Sequence, residues 1–143
     1  VSLKDYTGNI LDIRMSSGDL SLGPVTAEQT EIQNEYGTVQ IEQAFADSLT
    51  ANLSSGSFLA GSLDVPALKV VNEYGSVRIL LPGTLSDYGY QLQTEYGSVL
   101  LGGKSLANSD EEEDEIHYTS AGTNGKTIEI LCDSGDIIID PVP

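Results

Sequence analysis

Basic residues are scarce in this sequence. Lys and Arg total 6 against 22 Asp and Glu, which gives a net charge of −16 at pH 7. A surface with this charge repels a phosphate backbone and an anionic membrane, so nucleic acid is excluded as a partner and anionic membranes are disfavoured. The same charge favours a cation or a basic protein as a partner.

Several chemical groups are almost missing. Trp is absent, and Cys132 is the single cysteine, so no internal disulfide can form and a buried, inert thiol is expected. His117 is the single histidine, and no Ser/His/Asp arrangement surrounds it. No run approaches the roughly 18 apolar residues of a membrane-spanning helix. We therefore expect no transmembrane segment, no metal site and no cofactor.

What the sequence does contain is a repeat. Asn72-Glu73-Tyr74-Gly75-Ser76-Val77 recurs with small changes at 34–39 and 94–99, and a form with Ser before the Gly occurs at 16–22, 54–60 and 133–139. The glycines of these six copies lie at 18, 37, 56, 75, 97 and 135, at intervals of 19, 19, 19, 22 and 38 residues. Regular spacing of this kind is typical of a solenoid.

Three positions in every copy are apolar. They lie five residues before the glycine and two and four residues after it, and they are Ile13, Leu20, Leu22, Ile32, Val39, Ile41, Ala51, Phe58, Ala60, Val70, Val77, Ile79, Leu92, Val99, Leu101, Ile130, Ile137 and Ile139. The position before the glycine and the two positions after it are an odd number of residues apart, so in one straight strand they would point to opposite faces. All of them reach one core only if the chain bends at the glycine. Each copy therefore predicts a strand, a glycine corner and a second strand, and the chain predicts an all-β, β-helix-like solenoid.

Two alternatives stay open at this point. The copies could form hairpins with glycine turns, although equal spacing favours stacked coils. One coil could also contain two copies, or about 38 residues, because Tyr and Ser alternate before the first four glycines. Such a coil would carry a Ser corner and a Tyr corner, and Asn34 and Asn72 would be neighbours in a hydrogen-bonded ladder. Tyr96 breaks this alternation, because it occupies a place where Ser is expected.

The chain divides into four segments of one domain. Residues 1–14 predict a strand that closes one end of the stack, and 15–101 hold the regular repeats. Residues 102–126 hold an acidic insertion and a hairpin between 116–119 and 127–130, which flank Asn124-Gly125. Residues 127–143 hold the last repeat and a tail.

The repeated Glu-Tyr pairs are the candidate binding residues. Stacked coils would align them into columns of carboxylates and flat amphipathic rings, which could bind a glycan or a protein; they are Glu35, Tyr36, Glu73, Tyr74, Glu95 and Tyr96. The structural alternative is that Tyr shields the glycine corner while Glu lies in solvent. The acidic run at 110–115 lacks the spacing of a calcium loop and is expected to be a solvated loop.

These copies resemble a bacterial family of unknown function whose members are described as adhesins. That family has Ser-Gly-Asp turns between short strands, as in Ser17-Gly18-Asp19 and Ser134-Gly135-Asp136. The resemblance implies a non-enzymatic adhesive or scaffolding module outside the cytoplasm, secreted or lipid-anchored. A weaker likeness to bactofilins implies a self-assembling filament instead. A carbohydrate-active β-helix enzyme is the third alternative, and oligomeric state is left undetermined.

The predicted core gives a first test. Replacing Val77 by Asp places an unpaired charge among apolar side chains and is expected to lower the free energy of unfolding by several kcal/mol. Urea unfolding measures this change, and wild-type stability would mean that Val77 does not lie in the core.

Overall fold

The computed structural model describes residues 2–83, 85–106, 116–123 and 125–141, and they are almost entirely β-strand. The strands are β1 (Ser2–Leu3), β2 (Tyr6–Thr7), β3 (Ile10–Ser17), β4 (Leu20–Thr26), β5 (Gln29–Tyr36), β6 (Val39–Phe45), β7 (Ser48–Ser55), β8 (Phe58–Ala60), β9 (Leu63–Asp64), β10 (Ala67–Tyr74), β11 (Val77–Leu81), β12 (Gly89–Tyr96), β13 (Val99–Leu101), β14 (Lys104–Leu106), β15 (Ile116–Ser120), β16 (Thr127–Ser134) and β17 (Ile137–Pro141). A short 3-10 turn covers Leu85–Asp87. Among these residues no helix has the length and hydrophobicity to cross a membrane.

Two sheets face each other across one core. The front sheet has the order β15-β12-β16-β10-β7-β5-β3. The back sheet has the order β1-β4-β6-β8-β11-β17-β13-β14, with β2 also on β4 and β9 on β6. Each copy of the repeat supplies one strand to the front sheet, turns at its glycine and supplies the next strand to the back sheet. The expected all-β solenoid is therefore confirmed.

One coil corresponds to a single copy of the repeat. Ile13 pairs with Ile32, and Leu20 pairs with Val39, so each coil lies directly on the next copy along the chain. The idea of a double-length coil with a Ser corner and a Tyr corner is therefore wrong. Asn34 and Asn72 are also not neighbours, because Leu53 lies between them and pairs with both.

The last copy of the repeat does not lie at the end of the stack. β16 pairs with both β10 and β12, and β17 pairs with both β11 and β13. The C-terminal coil is thus inserted between the fourth and fifth coils of the chain. The backbone N–H of Thr127 donates to the carbonyl of Pro66 at 2.8 Å, and Lys126 Nζ lies 2.9 Å from Asp64 Oδ1, so the inserted coil is anchored where it enters.

Both ends of the stack differ from its middle. At the far end, β14 and β15 add antiparallel strands to β13 and β12. The expected hairpin between 116–119 and 127–130 is therefore wrong, because β15 and β16 do not pair with each other. β16 lies between β10 and β12, and β15 pairs with the other edge of β12. At the near end, β1 and β2 cover β4, but among the described residues β3 pairs with β5 alone. The first coil begins at Ile10, so the segment 1–14, expected to be a closing strand, also contains the start of the first repeat.

The apolar positions of the repeat form the core. All of them are buried except Ile13 and Leu101, which are half-buried and pack against the core. These two residues belong to the first and the last coil in space, where one side has no full coil to cover it. Val77, chosen above for substitution, has no exposed surface.

The glycine corners stack with their backbones in contact. A Cβ on Gly75 would lie 1.7 Å from the carbonyl oxygen of Gly56, and one on Gly135 would lie 1.7 Å from that of Gly75. Gly75 also has a φ of 133°, which L side chains rarely adopt. Each of these two corners therefore requires glycine for two separate reasons.

A matched pair of substitutions separates these two reasons. Gly75→Ala combines backbone strain with the clash against Gly56 and is expected to cost more than about 3 kcal/mol of stability. Gly103 has a φ of 80°, but a Cβ there meets nothing within 4 Å, so Gly103→Ala is expected to cost about 1–2 kcal/mol. Urea unfolding of both variants tests this difference, and equal losses would show that stacking does not require the glycine.

Candidate functional site

The six corners bring one position of every coil into a single row. The residue before each glycine pairs with its counterpart in the next coil, in the order Ser17, Tyr36, Ser55, Tyr74, Ser134, Tyr96. We call this row the corner column. Tyr and Ser alternate along its whole length. The break that Tyr96 makes in the sequence is therefore absent in space, because the inserted C-terminal coil places Ser134 between Tyr74 and Tyr96.

The tyrosines of the corner column are strongly exposed. Tyr36, Tyr74 and Tyr96 keep 59%, 58% and 62% of their surface accessible. Successive rings belong to every second coil, so their backbones are about 9.6 Å apart along the stack. The structure thus brings the three predicted tyrosines into one line, separated by serines.

The predicted glutamates accompany the tyrosines. Glu35, Glu73 and Glu95 each precede a corner tyrosine and are exposed, as is Asp133 in the inserted coil. Glu35 and Glu73 also line a shallow groove of about 460 Å³ on the outer face of the front sheet, together with Ser16 and Ser54. The carboxylates therefore form an acidic row beside the rings.

Buried donors lie beneath every second corner. Asn34 Nδ2 donates to the carbonyl of Gly18 at 3.0 Å, and Asn72 Nδ2 donates to that of Gly56 at 2.9 Å. Thr94 Oγ1 does the same to the carbonyl of Gly135 at 3.0 Å. We call a coil Ser-type or Tyr-type after the residue that precedes its corner glycine. The three donors belong to Tyr-type coils, and the Ser-type coils carry Met15, Leu53 and Cys132 at this position. Each Tyr-type coil is therefore bonded to the Ser-type corner beside it, and two coils form one unit.

Two aspartates strengthen the same pairs of coils. Asp19 Oδ1 accepts the backbone N–H of Thr38 at 3.0 Å, and Asp136 Oδ1 accepts both the N–H and the hydroxyl of Ser98 at 3.0 Å. These bonds between coils were not predicted from the sequence, where Asp19 and Asp136 were recognised only as part of the Ser-Gly-Asp corners. The feature of the sequence that could have indicated these bonds is that both aspartates directly follow the corner glycine, and do so only in Ser-type copies.

Cys132 lies within this column as a buried side chain. Its Sγ is 3.5 Å from the carbonyl oxygen of Gly75, and burial raises the pKa of the thiol. A raised pKa keeps the thiol protonated and lowers its reactivity. This agrees with the expected inert thiol.

The acidic run and the single histidine add no site within the described residues. The acidic run at 110–115 lies outside the described residues, and so does the side chain of His117. Within the described part of the chain, no group of three or more His, Cys, Asp and Glu side chains could hold a metal ion. The arrangement that remains is a row of rings, carboxylates and hydroxyls, which suits binding by stacking and hydrogen bonding.

Comparison with known protein families gives a match over nearly the whole chain. The family model for Toastrack DUF4097, a domain of unknown function, matches residues 1–140. No curated protein and no solved structure matches the chain.

The buried donors allow a test of the two-coil unit. Asn72→Ala removes the bond to the Gly56 carbonyl and leaves a small cavity, so it is expected to cost about 1–3 kcal/mol of stability. Asn72→Thr keeps a donor, as Thr94 does at the equivalent position, and is expected to lose less than half as much. Urea unfolding checks both values. An alanine variant as stable as the threonine variant would show that the donor is not needed.

Proposed function

The chain belongs to the Toastrack DUF4097 family, and from that premise we propose that it is a non-enzymatic scaffolding or adhesive module that binds a glycan or a protein through the corner column. We also propose an extracytoplasmic location, in the cell envelope. This location is supported by the resemblance of its Ser-Gly-Asp corners to those of envelope proteins.

The exposed tyrosine row carries this proposal. Each of the three rings leaves more than half of its surface in water, although burial of an aromatic side chain normally stabilises a protein. The row also lies at the corners of the fold, where backbone hydrogen bonds and glycine packing join each coil to its neighbour. Aromatic side chains are enriched at binding surfaces and supply much of the binding energy there.

Exposure of the carboxylates supports a non-enzymatic role. Catalytic acids and bases need surroundings that shift their pKa, such as burial or a close like charge in a cleft. Glu35, Glu73 and Glu95 are exposed to solvent instead, and the groove that Glu35 and Glu73 line is shallow. They are suited to attract and orient a partner.

The ends of the stack argue for a single module over a filament. A filament of this solenoid would need one end of a copy to continue the parallel stack of another. At the far end, antiparallel β14 and β15 cover both sheets and interrupt the parallel order. Head-to-tail growth is therefore less well supported than binding through the side of the stack.

The triple variant Tyr36→Ala/Tyr74→Ala/Tyr96→Ala tests the proposal. Ligands selected by the wild-type protein from a glycan array and from a random-peptide phage library are expected to be lost, because the rings supply the contact area. Phe45→Ala is the matched control, since Phe45 is an aromatic residue that is 41% exposed and lies outside the corner column.

The control is expected to keep the wild-type set of ligands, and all variants are expected to remain folded by circular dichroism. Retention of the same ligands by the triple variant would contradict binding through the column.

A further inference from the structure

We propose that the corner column binds a proline-rich, positively charged peptide segment in the polyproline II conformation, lying along the axis of the solenoid. This inference rests on the proposed function and names the class of its partner. It follows from three properties of the column: its period, its gaps and its charge.

The period of the rings matches one peptide conformation. Successive tyrosines of the column are two strand spacings apart, or about 9.6 Å. A polyproline II helix repeats every three residues, or about 9.3 Å. The side chains on one face of a β-strand repeat at about 6.8 Å. An α-helix completes a turn in about 5.4 Å. A proline at every third position therefore meets Tyr36, Tyr74 and Tyr96 in turn, over about seven residues.

The serines of the corner column leave space between successive rings. Ser55 and Ser134 separate the three rings, and both are short side chains that are half-buried. A row of tyrosines in every coil would place rings about 4.8 Å apart, too close for proline rings to lie between them. Aromatic side chains separated by recesses are the usual platform for proline-rich ligands.

The charge selects among partners of this shape. Glu35, Glu73, Glu95 and Asp133 lie exposed beside the rings, and the whole chain carries a net charge of −16. Lys or Arg at the positions between the prolines would meet these carboxylates. A neutral glycan would leave them unpaired, and an acidic glycan would be repelled. The observations therefore favour a basic peptide over a sugar polymer.

Fluorescence anisotropy with dye-labelled peptides tests the period. The probe is a 12-residue peptide made of four Pro-Pro-Lys units, and the control peptide has the same composition in an order without a three-residue repeat. Both carry the same charge, so non-specific attraction is equal. The regular peptide is expected to bind about tenfold more tightly at 150 mM salt.

A double variant tests the spacing on the protein. Ser55→Tyr/Tyr74→Ser keeps three tyrosines in the column but moves the middle ring by one coil, so that the intervals become about 4.8 and 14.4 Å. This variant is expected to bind the regular peptide about tenfold more weakly, while Phe45→Ala binds as wild type does. Thermal melting of the double variant checks that the coil is intact.

The outcomes separate this inference from the proposed function. Equal affinity for the two peptides, or wild-type affinity of the double variant, would overturn the polyproline II assignment. Selection of glycans but no Pro-Pro-Lys peptide, with loss in the triple tyrosine variant, would also overturn it while supporting the broader proposal. Unchanged ligand selection by the triple variant would instead contradict the corner column as a binding surface.

Discussion

The close stacking of glycine backbones at the corners is the constraint on which the rest of the structure depends. The carbonyl oxygen of one corner occupies the place where a Cβ of the next would lie, as between Gly56 and Gly75. Every coil must therefore turn at the same place, so each strand pairs with the equivalent strand of the neighbouring coil. Because this register is the same throughout the stack, equivalent residues of all copies fall into columns. The core, the buried donors and the exposed rings all follow from this alignment.

The inserted C-terminal coil shows why the coils occur in pairs. Thr94 and Ser98 of the fifth copy are bonded to Gly135 and Asp136 of the last copy. A fifth coil stacked directly on the fourth would bring Tyr96 beside Tyr74, and Ser98 would face Ser76 in place of the Asp136 carboxylate that it bonds to. Insertion gives each Tyr-type coil a Ser-type neighbour at its own corner. Successive rings are thereby kept two strand spacings apart, with one Ser-type coil between them.

This topology has a consequence for folding and stability. In an ordinary solenoid each coil contacts only its neighbours in sequence, so the stack can grow from one end. Here the fifth coil reaches its place only when the last segment of the chain lies between it and the fourth. The front-sheet pairings of β16 span about 60 residues on one side and about 40 on the other, and closing such loops is costly in entropy. The C-terminal coil therefore connects the end of the stack to its body.

The binding surface that we propose is a by-product of the same geometry. Binding through a free loop would also cost backbone entropy, whereas the backbone beside a corner glycine is already ordered in the stack. The backbone at the corners of Tyr36 and Tyr74 is hydrogen-bonded to both neighbouring coils, and that at the corner of Tyr96 is hydrogen-bonded to the inserted coil. The acidic row beside them adds long-range attraction for basic partners. A rigid, periodic and charged edge is suited to linear ligands whose own period is similar.

The sequence alone determined the strand–glycine–strand unit, the buried face of each strand and the residues at each corner, because these depend on local parity and on the backbone freedom of glycine. It also placed the Glu-Tyr pairs together as one candidate site. Only the tertiary structure decided that each coil is a single copy of the repeat, that β16 lies between β10 and β12, and that β15 pairs with β12. These strand pairings depend on which strand edges are free when distant segments of the chain meet. The repeats have similar apolar patterns, so the sequence of a strand does not show which of the other strands it pairs with. The continuation of the Ser and Tyr alternation through Ser134 and Tyr96 was visible only after that order was known, because the coils do not stack in the order of the chain.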